Sequence, residues 1–252
     1  MKKLIAVLPL LGILFSNSLT LAQDVESEHA LIIEQTIAKA RAYLGGDDKL
    51  KSVESITYKG SLLYSDGSTG SAEIIFKKPY FQRFVAVVGD LKETSGLNDL
   101  EAWRKQEAIG VEGSASLGVY DPAEMYNMRA SVWEYLNFYE APAGRNKSVE
   151  FVEYASVNGV DCAVLRYLHG DGIWFTRCFD RETGKLVRTV SSRGALFVES
   201  GEIMVDGIRF PKRLMTVFLN APDSPRIEME YGSIVLNRSI DNEIFKYPKL
   251  LD

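Results

Sequence analysis

Two hydrophobic periods divide the chain. From Val25 to Leu44 apolar residues recur at helical spacing, with Ile33, Ile37, Ala40 and Leu44 on one stripe and Gly45-Gly46 as a stop. After a short polar link the period drops to two. Ile56, Tyr58, Leu62 and Tyr64 alternate with polar or small residues, Asp66-Gly67 marks a turn, and Ala72, Ile74 and Phe76 continue the alternation. Lys78-Pro79 interrupts it, Phe81 to Val88 resumes it, and short strands are predicted at 93–97 and 101–105. Residues 106–120 carry Gly110, Gly113 and Gly118 among serines and alanines, which predicts a long loop. Asp121-Pro122-Ala123-Glu124 then opens a second helix. Asp121 can cap it, Pro122 suits its first position, and Glu124 completes a capping box. This helix is expected to run to about Phe138 and to stop before Pro142.

From Lys147 onward the period of two returns, near 148–156, 161–168, 173–180, 185–191, 195–205, 208–219 and 226–237, with hairpin signals at Thr183-Gly184 and Asp206-Gly207. About ten or eleven strands joined by short turns predict an antiparallel meander, not βαβ units. There is no internal repeat and no low-complexity segment.

The first 22 residues follow a different pattern. Lys2 and Lys3 precede an apolar run from Leu4 to Phe15, and Thr20 and Ala22 place small residues before Gln23. That order predicts a secretory signal peptide over residues 1–22, cleaved to leave Gln23 first. The apolar run is about a dozen residues, short of the roughly 20 that span a bilayer. The alternative is an uncleaved anchor or a buried helix. No Cys follows the cut to carry a lipid, so an exported, unanchored, periplasmic protein is expected, with residues 23–252 as one domain. Loss of Lys2 and Lys3 takes the formal charge from −5 to −7. With no basic run in the chain, nucleic acid is a poor partner. An apolar fraction of 46% argues against disorder.

Cys162 and Cys178 flank His169-Gly170-Asp171-Gly172. A turn that sets residues 168 and 172 opposite each other also sets the two cysteines opposite. In an oxidising compartment that pair predicts a disulfide, and two buried free thiols are the alternative. An enzyme needs a constellation, and none assembles. Neither His29 nor His169 has triad or ligand spacing around it, and the common nucleophile, phosphate-loop and metalloprotease motifs are absent. A non-enzymatic protein without cofactor or metal is expected.

The second helix is the sharpest positive feature. Met125, Met128, Val132, Tyr135, Leu136 and Tyr139 share a stripe, beside Tyr126 and Trp133. Such a stripe predicts a core-packing helix or a lid. Methionine suits surfaces that accept variable apolar groups, and Gly-rich flanks leave the helix free to move.

The stretch F-K-K-P-Y-F-Q-R-F, Phe76 to Phe84, resembles the LolA-like superfamily of periplasmic lipoprotein carriers. So do L-E-A-W at Leu100 to Trp103, D-x-x-T-G at Asp180 to Gly184, V-D-G-I-R-F-P at Val205 to Pro211 and N-x-x-x-D-N-x-x-F-x-x-P from Asn237 to Pro248. The resemblance implies a mainly β fold with α: a single curved antiparallel sheet, or half-barrel, covered on its concave side by helices. The loop and lid helix would lie at about 106–145. It also implies an apolar groove for lipid or lipoprotein acyl chains, with Tyr58, Phe76, Phe84, Met125, Met128 and Trp133 as groove residues. Lys78, where the carriers have Arg, would hold the lid shut. The function implied is that of a monomeric carrier or sensor, in outer-membrane lipoprotein sorting, between inner-membrane donor and outer-membrane acceptor proteins. The alternative is a protein-interaction module of an envelope assembly or stress-response pathway.

Overall fold

The computed structural model describes residues 14–248, with side chains from Glu26 onward. Most of the expected signal peptide therefore lies outside the described residues. Helix α1 spans Leu14–Leu44 and α2 spans Asp47–Lys51. The strands β1 (Ser55–Tyr64), β2 (Thr69–Lys77), β3 (Phe81–Val88), β4 (Leu91–Asn98), β5 (Glu101–Ala108) and β6 (Ser116–Val119) form a continuous meander. Helix α3 (Pro122–Leu136) follows. A second run comprises β7 (Ser148–Val157), β8 (Val160–Gly170), β9 (Ile173–Asp180), β10 (Leu186–Ser191) and β11 (Ala195–Ser200). The chain then makes a small hairpin, β12 (Ile203–Val205) with β13 (Ile208–Phe210), and returns through β14 (Arg213–Phe218) and β15 (Ile227–Leu236) to a 3-10 turn, Asn242–Phe245.

Thirteen strands make one antiparallel sheet that does not close into a barrel, in the order β6-β5-β4-β3-β2-β1-β15-β14-β11-β10-β9-β8-β7. This order dictates the position of α3. The two meanders meet in the middle, where β1 pairs with β15, so β6 and β7 are opposite edges. The segment that joins β6 to β7 must cross the whole sheet, and α3 is in that segment. It does so on the concave face, where Met125, Met128, Val132 and Leu136 pack with Ile56, Tyr58, Phe76, Leu97, Tyr231 and Ile234 from the sheet. Helix α1 covers the same face further along, where Ala40 packs with Tyr139, Leu165, Tyr167, Phe179 and Leu186. Both helices thus lie on the side the sequence predicts.

The strand count exceeds ten or eleven for identifiable reasons. The runs 195–205 and 208–219 each split in two. Gly201 takes a left-handed φ of 64°, and Pro211 stands between β13 and β14, so the chain leaves the large sheet to form the hairpin before rejoining it. Ile208 and Phe210 of that hairpin enter the main core. The predicted loop at 106–120 contributes β6.

Motifs that carried the family resemblance act locally. Asn237, at φ 53°, accepts from the amides of Glu54 and Ser55 and donates to the Ser52 carbonyl. It thereby pins the start of β1 to the end of β15. Asp180 accepts from the amides of Glu182 and Thr183. The turn it shapes brings Arg181 O within 2.6 Å of Lys39 Nζ on α1. Lys77 Nζ donates to Ile240 O and Asn242 Oδ1 and holds the 3-10 turn, which covers Ile75 on the convex face.

The cysteines do not pair. The turn after β8 sets Gly170 opposite Ile173, with a register irregularity between Leu168 and Gly170. Cys162 therefore faces Asp180, and Cys178 faces Val164. The expected pairing is two residues out of step, and both are buried free thiols on the convex face.

Candidate functional site

Helix α3 owes its start to the expected cap. Asp121 accepts from the Glu124 amide at 2.8 Å, with Pro122 in the first helical position. Its end is less ordinary. Phe138 and Tyr139 both have positive φ, 46° and 67°, which bulky residues adopt only when the surroundings hold them there. The holding group is Arg41 of α1, 5% exposed. Its Nη1 donates to the carbonyls of Asn137 and Phe138, each at 2.8 Å, and its Nε pairs with Asp47 at 2.5 Å.

Between α3 and the sheet lies a cavity of about 120 Å³. Tyr58, Phe138, Phe210, Leu214 and Tyr231 give it apolar walls. Tyr58 is their hub, with ring centroids 5.0–6.3 Å from those of Phe76, Tyr135, Phe210 and Tyr231. Burial raises the Tyr58 hydroxyl well above the ordinary phenol range and pushes Tyr135 up to about 12.

The other end of the cavity is polar. Glu134 of α3 reaches His169 Nε2 at 2.5 Å and forms an ion pair with Arg177. All three side chains are at least nine-tenths buried. The Arg177 guanidinium is flanked by the rings of Tyr139 and Tyr167, 4.9 Å from each. Glu199 lines the same end, and burial pushes its carboxyl up to about 7 against the pull of Arg177. This polar cluster was not read from the sequence. Its members are 35 and 43 residues from Glu134, on strands whose contact with α3 follows only from the sheet order.

No family model and no curated protein matches the sequence. Solved structures do match the fold. A DUF1329 family protein from Desulfovibrio piger aligns with TM-score 0.52 at 8% identity, over 85% of this chain and 97% of its own. A domain classed with outer-membrane lipoprotein-sorting proteins, from Vibrio parahaemolyticus, gives 0.51 at 5%, over 84% and 97%. A LolA superfamily protein from Nitrosomonas europaea gives 0.51 at 8%, over 82% and 97%. The fold is LolA-like. At such identities the likeness is one of architecture.

Within this LolA-like frame the expected groove residues separate. Tyr58 lines the cavity. Phe76 stacks on Tyr135, with centroids 4.4 Å apart, and is itself core, as are Met125 and Met128; Phe84 packs against the same core. Trp133 faces away. It lines a second cleft of about 250 Å³ alongside α3, with Tyr80, Arg129, Lys147 and His169, and its Nε1 donates to Glu140 O. Among the described residues, the Lys78 side chain pairs with Glu54 and makes no hydrogen bond or ion pair to α3. Strand β2 ends at Lys77, so Lys78 falls in the turn and its ammonium lies 3.5 Å from Glu54. The contact that holds the helix end is made by Arg41, from the other helix.

Proposed function

We propose that this chain is an exported periplasmic carrier or sensor that takes lipid or lipoprotein acyl chains into the groove beneath α3. The observation that carries the reading is the partly open, mainly apolar cavity between α3 and the concave face of a LolA-like sheet. Its 120 Å³ decides what the closed form can hold. That is room for about four waters, well under the roughly 300–1,000 Å³ of pockets that take organic ligands. Uptake therefore requires α3 to lift, exposing Met125, Met128, Val132 and Leu136 to the cargo. Each CH₂ then buried by an acyl chain contributes about 0.8 kcal/mol, offset by the lost helix packing. That offset keeps net affinity in a range from which cargo can be passed on. Among the described residues no helix is long and apolar enough to cross a membrane, and none is needed for a shuttle.

Native mass spectrometry of the protein isolated from a periplasmic extract tests the reading, together with displacement of 1-N-phenylnaphthylamine by long-chain lipids. Lipid that co-purifies, and a fluorophore that binds and is displaced, are the expected results. A stoichiometric protein partner with no lipid and no fluorophore binding would replace this reading by that of an interaction module.

A further inference from the structure

We propose that Arg177 and His169 form a headgroup subsite for a long-chain carboxylate, which in the closed structure is filled by the helix's own carboxylate, Glu134. The inference rests on the acyl-binding reading above and names the ligand class. Three observations carry it. The first is position: Arg177 lines the polar end of the cavity whose apolar walls include Tyr58, Phe138, Phe210 and Tyr231. The second is unused capacity. Arg177 is 6% exposed, and its Nε has no hydrogen-bond partner among the described residues, although the group lines an open cavity. A buried guanidinium with a free N–H is costly unless an acceptor reaches it. The third is attachment. His169 and Arg177 stand on β8 and β9, whereas Glu134 stands on α3, which must move for the groove to open. When α3 lifts, the sheet keeps a cation and an imidazole at the end of an apolar trough, and the anion leaves with the helix.

The group that replaces Glu134 must resemble it. A carboxylate offers the same two oxygens to Arg177 and His169. Its hydrocarbon tail then runs along the walls that Met125, Met128 and Leu136 vacate. Glu199 faces the incoming head, and its raised pKa lets it hold a proton that the ligand oxygen can share. A phosphate carries more charge and would meet Glu199 less favourably. The lid is thus closed by an internal copy of the ligand's head, and ligand and Glu134 compete for one site.

Displacement of 1-N-phenylnaphthylamine at pH 7 by dodecanoate, 1-dodecanol and dodecyl phosphate tests this. In the wild type dodecanoate is expected to displace the probe at a concentration at least about tenfold below that of dodecanol. In Arg177→Gln that ratio should fall to near one. The same collapse is expected in Glu134→Gln/Arg177→Gln, which removes both charges of the pair and so guards against misfolding of the single variant. Glu134→Gln alone should strengthen displacement by dodecanoate severalfold. Equal potency of acid and alcohol in the wild type, or a ratio that survives in both Arg177 variants, overturns the subsite. Preference for dodecyl phosphate overturns the carboxylate class. If the probe binds no form of the protein, the acyl-binding reading itself fails; if it binds and only headgroup preference is missing, that reading stands and the subsite falls.

Discussion

The Arg41 guanidinium donates through Nη1 to the Phe138 carbonyl at 2.8 Å and so ties the C-terminal end of α1 to that of α3. Two helices that cover different parts of one concave face are thereby joined at a single buried cation. The residue that accepts is itself in a left-handed conformation, which turns its carbonyl toward Arg41.

Removal of that cation is expected to free the helix end. Arg41→Ala leaves the Asn137 and Phe138 carbonyls without their donor and should cost about 2–3 kcal/mol. Arg41→Lys should recover only part, because an ammonium lacks the planar fork. Both variants should admit 1-N-phenylnaphthylamine faster than the wild type. Lys78→Ala should shift stability by less than about 1 kcal/mol and leave probe access unchanged, since its partner Glu54 is exposed. A larger effect on probe access at Lys78 than at Arg41 would return the lock to the turn.

Met128 and Trp133 lie on the same helix but should respond differently. Met128 is 7% exposed and packs in the main core, so Met128→Ala should lower stability by about 2–4 kcal/mol through cavity formation. Trp133 is half-buried against the second cleft, and Trp133→Ala should cost less than about 2 kcal/mol. Urea unfolding of the two variants gives the comparison. Equal losses would mean that Trp133, too, is core.

Gly96 lies opposite Trp103 across β4 and β5, and a methyl group there would enter the indole ring. Trp103 is in turn fixed by its Nε1, which donates to Phe245 O at 2.8 Å. Gly96→Ala should therefore cost about 1–3 kcal/mol and change the tryptophan emission as the ring is displaced. Unaltered emission and melting temperature would show that the ring can move aside freely.

The two cysteines should be free in the folded protein. Diagonal neighbours on adjacent strands stand about 7–8 Å apart at Cα, beyond the roughly 4.4–6.8 Å that disulfides favour. Burial also raises the Cys162 thiol. Alkylation without reductant should label neither residue in the native protein and both after unfolding. A mass two hydrogens lower, with no labelling after unfolding, would show that the strands shift register to form the bond.

Glu199 gives the fold a pH dependence of definite sign. Burial pushes its carboxyl up to about 7, against about 4.3 in an unfolded chain, while Arg177 and Lys185 pull it down by less. The folded state holds the proton more tightly, so the stabilisation is complete below about pH 4 and is lost as pH rises through about 7. The melting temperature should fall between about pH 5 and pH 8, and Glu199→Gln should flatten that fall. Parallel profiles for the two proteins would mean that Glu199 is ionised throughout.

Much of the architecture was legible along the chain because it depends on local periods. Alternation in Ile56-Tyr58 and Ile74-Phe76 marks β1 and β2 and also says which residues share a face. Asp121-Pro122 marks the start of α3, and Asp180-x-x-Thr-Gly marks a turn, because caps and turns are satisfied by neighbours in sequence. Register was not legible. A period of two is indifferent to where a hairpin turns, so a turn that sets Gly170 opposite Ile173 moved Cys178 away from Cys162 without altering the pattern of either strand.

The chemistry of the site belonged entirely to tertiary structure. Glu134 sits between a tryptophan and a tyrosine on an apolar helix, and nothing nearby in sequence accounts for its burial. Its partners His169 and Arg177 come from strands at the far edge of the sheet, brought under α3 because β1 pairs with β15 and leaves the β6-to-β7 connection to span the concave face. Sequence determines which residues are apolar, which turns are tight and where helices begin, since these are short-range consequences of sterics and hydrogen bonding. The order of strands decides which charges meet, because a buried ion pair forms between whichever elements the packing of the whole sheet places in contact.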